Sequence, residues 1–351
     1  MEQQELVEKI KGSIKNIEEK NNRIYFFVQD TRGNAKASIV YIYEMAMTLH
    51  KNGYSVIMLH EKNDFTSVSN WLDKEYETLI HQSVEGTNLQ IAPEDILVIP
   101  EIFGYVMEQV KNLPCGKIVL CQAVDHMLET LTPGTSWSQL GFYKCITTSE
   151  TLEQAISKVM KKVSVEVIQP VISEKFRKQQ YPPKPIIGIH SREQREGINL
   201  IKQFYLKYPQ YRFFTFRDLR GLSQEEFANS LQDCFLGVWL DYTSSFGTFP
   251  LECMKSGVPV LGRIPYMKPE WMNEKNGVWV DNLTQMSDII ADIIQTWLED
   301  NLVPELYTEG SETAEQYSDR NKFETMVLET FSEFSNKRKE AFEAQLNPET
   351  V

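Results

Sequence analysis

The sequence is poor in cysteine, carries fewer positive than negative charges, and has no long apolar run. Its five cysteines (Cys115, Cys121, Cys145, Cys234 and Cys253) are odd in number and form no C-x-x-C pair, which argues against a disulfide framework and a cysteine-based metal site. Four of them stand in or beside apolar stretches, the pattern of buried free thiols in a reducing compartment. The 36 Lys and Arg residues are outnumbered by 49 Asp and Glu residues, giving a net charge of −13. Nucleic-acid binding needs a basic face to neutralise phosphates, so that class is disfavoured. A small local basic site for a phosphorylated ligand remains compatible with the charge. No stretch approaches the ~20 apolar residues of a membrane-spanning helix. Residues 1–5 are acidic and lead into no apolar core of signal-peptide length. The expectation is a cytoplasmic protein, with peripheral membrane contact left open.

Several motifs are also missing. No G-x-G-x-x-G follows the first apolar run and no G-x-x-x-x-G-K-[ST] occurs, against a dinucleotide-dependent dehydrogenase and a P-loop NTPase. G-x-S-x-G and H-E-x-x-H are absent too. The five histidines show no metal-ligand spacing to each other or to cysteine. Neither a metal nor a cofactor is expected.

What is present is an ordinary globular composition, 42% hydrophobic and 24% charged, over 351 residues, a length that calls for two domains. In residues 1–20, Val7, Ile10, Ile14 and Ile17 follow helical spacing, weakened by Gly12. Such a helix packs on its own body or serves as a dimer contact. Short apolar runs then alternate with helical stretches: strands are expected at 24–28, 54–59, 96–99, 117–121, 145–147 and 166–168. Residues 177–185, RKQQYPPKP, hold three prolines among polar side chains and read as a stiff connector. Beyond it the alternation restarts, with strands expected at 186–189, 212–216, 236–240, 258–261 and 277–280. Helices are expected near 197–207, 223–232, from 250, and at 284–299. Residues 311–345 form an amphipathic helix or helix pair with a stripe of Phe323, Met326, Val327, Phe331 and Phe334. Strands alternating with helices mean parallel α/β sheets, and two doubly wound domains bind ligand at the carboxyl ends of their strands.

The chemistry is concentrated in 240–261, LDYTSSFGTFPLECMKSGVPVL. A strand runs into Ser244-Ser245-Phe246-Gly247 and then into a helix with Pro250 near its start. Helix N-terminal amides suit a phosphate, and Gly247 allows close backbone approach. Glu252 is expected in the first helical turn, where its carboxylate can accept two hydroxyls, as from a ribose diol. The plain alternative is an acid stabilised by the helix dipole.

This segment resembles the donor-site motif of the family 4 glycosyltransferases, Glu-Gly-Phe-Gly, three residues, Leu-Glu-Ala-Met, two residues, Gly, one residue, Pro-Val. The match holds without a gap at Phe246, Gly247, Pro250, Leu251, Glu252, Met254, Gly257, Pro259 and Val260. Three further landmarks resemble the family in order. QPVISEKF at 169–176 is similar to its Asn-Gly-Val-Asp…Phe segment, and GIHSREQREGINL at 188–200 to its diphosphate-gripping loop. Gly33 stands at its N-terminal glycine loop. The resemblance implies a GT-B fold: two facing Rossmann-like doubly wound parallel-sheet domains with a C-terminal crossing helix. It divides the chain into an N-terminal helix (1–22), an acceptor-side domain (23–176), a linker (177–185), a donor-side domain (186–310) and helices crossing back to the first domain (311–351). It also implies retaining, metal-free transfer from a nucleoside-diphosphate sugar, a UDP-sugar or a GDP-sugar, to a carbohydrate, glycolipid or protein acceptor. A homodimer is compatible with it.

By the same resemblance, Glu252 holds the nucleotide ribose, and Phe246, Gly247, Thr248 and Phe249 line the donor. The family's first motif glutamate falls on Ser244, whose hydroxyl cannot supply the negative charge that stabilises an oxocarbenium-like transition state. Asp241 is the acid close enough in sequence to replace it. In the diphosphate loop, Ser191 and Glu196 fall on the family's arginine and lysine, while Arg192 and Arg195, each one residue away, can clamp a diphosphate. A solvated charged loop is the alternative. Gln122, after the strand at 117–121, is a candidate for donor or acceptor contact, ahead of its neighbours Asp125 and His126. Gly33 and Asn34 lie in DTRGNAK (30–36), a phosphate or acceptor loop or else a plain turn. The activity implied is glycosyl transfer. The alternative is a non-catalytic GT-B-like partner subunit or nucleotide-sugar sensor that lost turnover with Ser244. A GT-B-type epimerase ranks last, because the sequence shows no carboxylate–histidine set for it.

Overall fold

The structure, a computed structural model, describes residues 2–66, 68–179, 182–243, 246–300 and 306–346. The chain divides into two compact units, one of residues 1–148, 152–168 and 321–351 and one of residues 149–151 and 169–320. Residues 177–185, expected as the connector, lie within the second unit. There the Gln179 amide donates to the carbonyls of Leu231, Gln232 and Cys234, which fixes the segment in place. The chain passes to that unit earlier, at Gln169.

The first unit holds seven strands: β1 (Arg23–Val28), β2 (Ser55–His60), β3 (Ile80–Ser83), β4 (Ile96–Pro100), β5 (Gly116–Cys121), β6 (Lys144–Thr147) and β7 (Ser164–Val167). They form one all-parallel sheet in the order β3-β2-β1-β4-β5-β6-β7. β1, β2, β4 and β5 are buried on both faces, which is why they read as continuous apolar runs. β3, with sequence IHQS, was not expected. It is a short edge strand with Ile80 exposed, and it shows no apolar run. The helices between are α1 (Glu2–Glu18), α2 (Ala37–Lys51), α3 (Gly104–Val110), α4 (Val124–Met127) and α5 (Glu150–Val159). Ile10 and Ile17 of α1 are buried, and Ser13 and Asn16 both donate to the Glu94 carboxylate. The helix thus packs on its own body.

The second unit holds β8 (Ile186–His190), β9 (Thr215–Asp218), β10 (Leu236–Trp239), β11 (Val260–Arg263) and β12 (Val278–Val280). These are parallel in the order β12-β11-β10-β8-β9. Its helices are α6 (Gln194–Lys207), α7 (Gln224–Leu231), α8 (Thr248–Lys255), α9 (Met286–Asp300) and α10 (Leu306–Gln316). Two strands sit two or three residues later than expected. Arg212 and Phe213 complete a turn after Pro209–Tyr211, and Val258 is buried in the turn that leaves α8.

The tail is two helices. α10 packs on α8 in the second unit, and α11 (Arg320–Leu346) belongs almost wholly to the first. Phe323, Val327 and Phe331 of the expected stripe are buried, with Phe331 against Phe26 and Phe323 against Tyr41. All five cysteines are free and buried. Among the described residues no helix is long and apolar enough to cross a membrane.

Candidate functional site

A ligand of a doubly wound sheet binds outside the carboxyl ends of its strands, where the strand order reverses. In the second unit that point lies between β8 and β10, because β8 pairs on one side with β9 and on the other with β10. Three segments converge there: the end of β8 with the start of α6, the loop after β10, and the start of α8.

Gly247 adopts a left-handed conformation, φ +74, as the N-cap of α8. A Cβ there would meet the Trp239 ring at 2.8 Å and Trp271 at 3.4 Å, and Trp271 donates to the Phe246 carbonyl at 2.8 Å. Glycine is required on both counts. No side chain caps the helix. Thr248 is its first residue, so Pro250 takes the third position, where no intrahelical N–H is needed. Glu252 therefore sits in the second turn, not the first as expected, because the left-handed glycine starts the helix two residues before the proline. Side chains on a helix tilt toward its N-terminus, which brings the carboxylate over the first turn. Among the described residues Glu252 has no side-chain hydrogen bond or ion pair, and burial pushes its carboxyl up to about 8. Phe246 and Phe249 are buried in the core beneath.

Asp241, just past β10, is 6% exposed. One oxygen accepts the Arg192 amide at 2.6 Å, and the other lies 3.3 Å from His190 Nδ1, at ion-pair distance but short of a linear hydrogen bond. Burial works to raise its pKa. The His190 ring, the Arg192 amide and the Arg192 charge outweigh burial and hold the carboxyl below its ordinary value. Asp241 is thus engaged in joining the ends of β8 and β10. The Arg192 guanidinium donates to Thr243 Oγ1 at 2.8 Å, so it lies along the loop after β10. Arg195 is exposed, on the first turn of α6. Ser244 lies outside the described residues.

Two residues at strand ends escaped the sequence reading. His190 closes β8, and its ring stacks on Phe249 with centroids 5.0 Å apart. Arg263 closes β11, pairs with Glu196 at 3.3 Å and lies over the Tyr242 ring. A cation thus faces the position where the family loop has its lysine, but it comes from another strand. The available signal was only their place as the last residues of apolar runs.

In the first unit the order reverses between β1 and β4. Glu101, 3% exposed, follows β4, and one of its oxygens accepts the amides of Gln122 and Ala123 at 3.0 and 2.8 Å. Burial still pushes it up to about 7 against those bonds. The Gln122 side chain donates to the Ser38 carbonyl at 3.0 Å, tying the β5 end to the start of α2. His126 bonds Glu129 on the surface. Gly33 (φ +81) and Arg32 (φ +52) make a tight turn closed by the Asn34 amide on the Thr31 carbonyl. Arg32 pairs with Asp30 and Asp64, and Lys36 bonds Gln29. Both loop cations therefore already have partners. Among the described residues no group of three or more His, Cys, Asp and Glu side chains forms a metal-binding cluster.

No family model matches the chain. It is 20% identical over 244 residues to an α-1,6-glucosyltransferase of Actinobacillus pleuropneumoniae serotype 7, covering 66% of this chain and 71% of that protein. The sucrose-phosphate synthase of Thermosynechococcus elongatus superposes with a TM-score of 0.62 at 13% identity, over 90% of this chain and 99% of the other. HepE of Anabaena, solved with UDP and glucose, gives a TM-score of 0.66 at 15% identity, over 88% and 99%. The chain has the GT-B glycosyltransferase fold, as the motif resemblance implied. An enzyme that transfers sugar is the class these comparisons support.

Proposed function

We propose that the chain moves a sugar from a nucleoside-diphosphate donor, a UDP-sugar or GDP-sugar, to an acceptor hydroxyl, with retention and without a metal. The observation that carries this reading is Glu252: a carboxyl without a partner among the described residues, on an uncapped helix whose N-cap is a left-handed glycine, beside the switch point of the second sheet. A ribose diol offers the two donors that this carboxylate lacks, and a diphosphate suits the helix N-terminus, Arg192 and Arg195. UDP bound to the similarly folded HepE supports a uridine donor. In the transfer the bond from the anomeric carbon to the diphosphate oxygen breaks, its electron pair leaving with the phosphate. The acceptor oxygen bonds the same carbon from the same face, and its proton passes to the leaving phosphate. The protein supplies position and charge. The acceptor, a carbohydrate, glycolipid or protein, is assigned to residues of the first unit around Gln122, Gly33 and Asn34, and the location is assigned to the cytoplasm.

One observation favours the second reading, a nucleotide-sugar sensor or partner subunit without turnover. Asp241, the candidate to replace the family glutamate at Ser244, is engaged by His190 and the Arg192 amide. The test is release of UDP from UDP-glucose, and of GDP from GDP-mannose, by the pure protein. Release of nucleotide with time is the expected result for the enzyme. Saturable donor binding with no release assigns the sensor role.

A further inference from the structure

We infer that His190 contacts the donor diphosphate through its Nε2, with Asp241 as the residue that positions it; the inference rests on the donor-site reading above. His190 is the last residue of β8, on the switch-point side of the strand order. Its ring is held from two directions. Asp241 Oδ2 lies 3.3 Å from Nδ1, and Phe249 stacks on one face at 5.0 Å and 29°. Phe249 is backed in turn by Phe227 of α7, at 5.9 Å and 16°. Phe249 is the second residue of α8, so the imidazole lies alongside the first turn of that helix. An anion resting on that turn lies beside the ring.

With Nδ1 turned to the carboxylate, Nε2 is the ring atom left for a ligand, and the side chain is 31% exposed. A ring N–H at Nε2 can donate to a phosphate oxygen, and the Asp241 carboxylate beside Nδ1 orients the ring for that contact. The surrounding charges are disposed to allow this. Arg192 follows on the same strand end, Asp218 at the end of β9 is taken up by Arg220 at 2.5 Å, and Glu196 of α6 is taken up by Arg263. Asp218 and Glu196, on the elements flanking the ring, are thus paired with cations, while Glu252 of α8 is not.

The experiment compares binding of UDP and GDP, and of the nucleosides uridine and guanosine, by wild type and three variants. His190→Phe keeps the stack on Phe249 and removes the donor. His190→Gln keeps a donor. Asp241→Asn keeps an acceptor for the Arg192 amide and removes the charge. The expected result is about a tenfold loss of nucleoside-diphosphate affinity in His190→Phe, the scale of one hydrogen bond to a charged group, with nucleoside affinity unchanged. His190→Gln recovers most of the loss, and Asp241→Asn gives a smaller loss of the same pattern. Equal weakening of diphosphate and nucleoside makes the ring a packing element and overturns the inference. Unchanged binding in His190→Phe overturns it as well. If wild type binds neither UDP nor GDP, the donor-site reading itself falls and takes the inference with it. Near-ultraviolet circular dichroism of each variant identifies any that does not fold; the His190→Gln and Asp241→Asn comparisons then decide.

Discussion

Each unit carries one glutamate near the switch point of its sheet, Glu101 buried and Glu252 half-buried, and the two differ in what they bond. Glu101 in the first unit accepts two consecutive backbone amides, and burial leaves it near 7. Glu252 in the second has no side-chain partner among the described residues, and burial takes it to about 8. Both positions cost free energy, since a buried carboxylate loses its hydration. Glu101 offsets the cost by fixing the loop that presents Gln122. Glu252 has no such offset among the described residues, and under the donor-site reading a ligand supplies it. Burial alone does not separate a structural acid from a binding one; the difference lies in whether the chain itself fills the hydrogen bonds.

The comparison breaks if the two glutamates respond alike to removal. Glu101→Ala leaves two part-buried amides without an acceptor and is expected to lower the unfolding free energy by about 2–4 kcal/mol, read from denaturant midpoints. Glu252→Gln gives up no bond to the described residues and is expected to hold or raise that midpoint. The glycine that starts α8 is nearly as sensitive as Glu101. Gly247→Ala forces a Cβ against Trp239 in a left-handed backbone, and a loss of about 2–3 kcal/mol is expected by the same assay. Affinity reverses the order of the two acids. Glu252→Ala is expected to weaken nucleoside-diphosphate binding by about 1.5–3 kcal/mol, measured by calorimetry. A folded variant with unchanged affinity removes Glu252 from the site.

Titration sharpens the contrast further. Both carboxyls have folded pKa values above the ordinary 4.5. Above pH 4.5 the unfolded chain releases protons that the folded chain keeps, so these groups make stability fall as pH rises, up to about 7 for Glu101 and about 8 for Glu252. Glu252→Gln is expected to flatten the part of the decline between pH 7 and 8, where Glu101 no longer titrates. The smallest effect lies at the rim of the first unit. A Cβ at Gly12 meets nothing within 4 Å, so Gly12→Ala is expected to raise stability by about 0.5–1 kcal/mol through helix propensity.

The layout of strands was legible because parallel strands covered on both faces are continuous apolar runs, as in IYFFV of β1 and ILVI of β4. β3 was not legible, since an edge strand of IHQS needs no such run. In the second unit the left-handed Gly247 was readable because its geometry is local, one strand-loop-helix segment, whereas Glu252 falls a turn later than expected because the helix starts two residues before Pro250. The pairs His190–Asp241 and Arg263–Glu196 were not, because each joins residues brought together only by strand order. Asp241 was singled out for its closeness to Ser244. Its engagement by β8 depends on β8 and β10 being neighbours, which spacing along the chain does not show.

Under the donor-site reading Glu252 holds a ribose diol. A carboxyl that burial pushes up to about 8 and that binds two hydroxyls as a carboxylate is expected to release a proton on binding at pH 7.5. Calorimetric titration of UDP and of GDP at pH 7.5, in two buffers of different ionisation enthalpy, measures that proton directly. The result expected is saturable binding of one nucleotide with proton release in the wild type, and weaker binding with that release lost in Glu252→Gln. Equal affinity and equal proton release in both proteins contradicts the account.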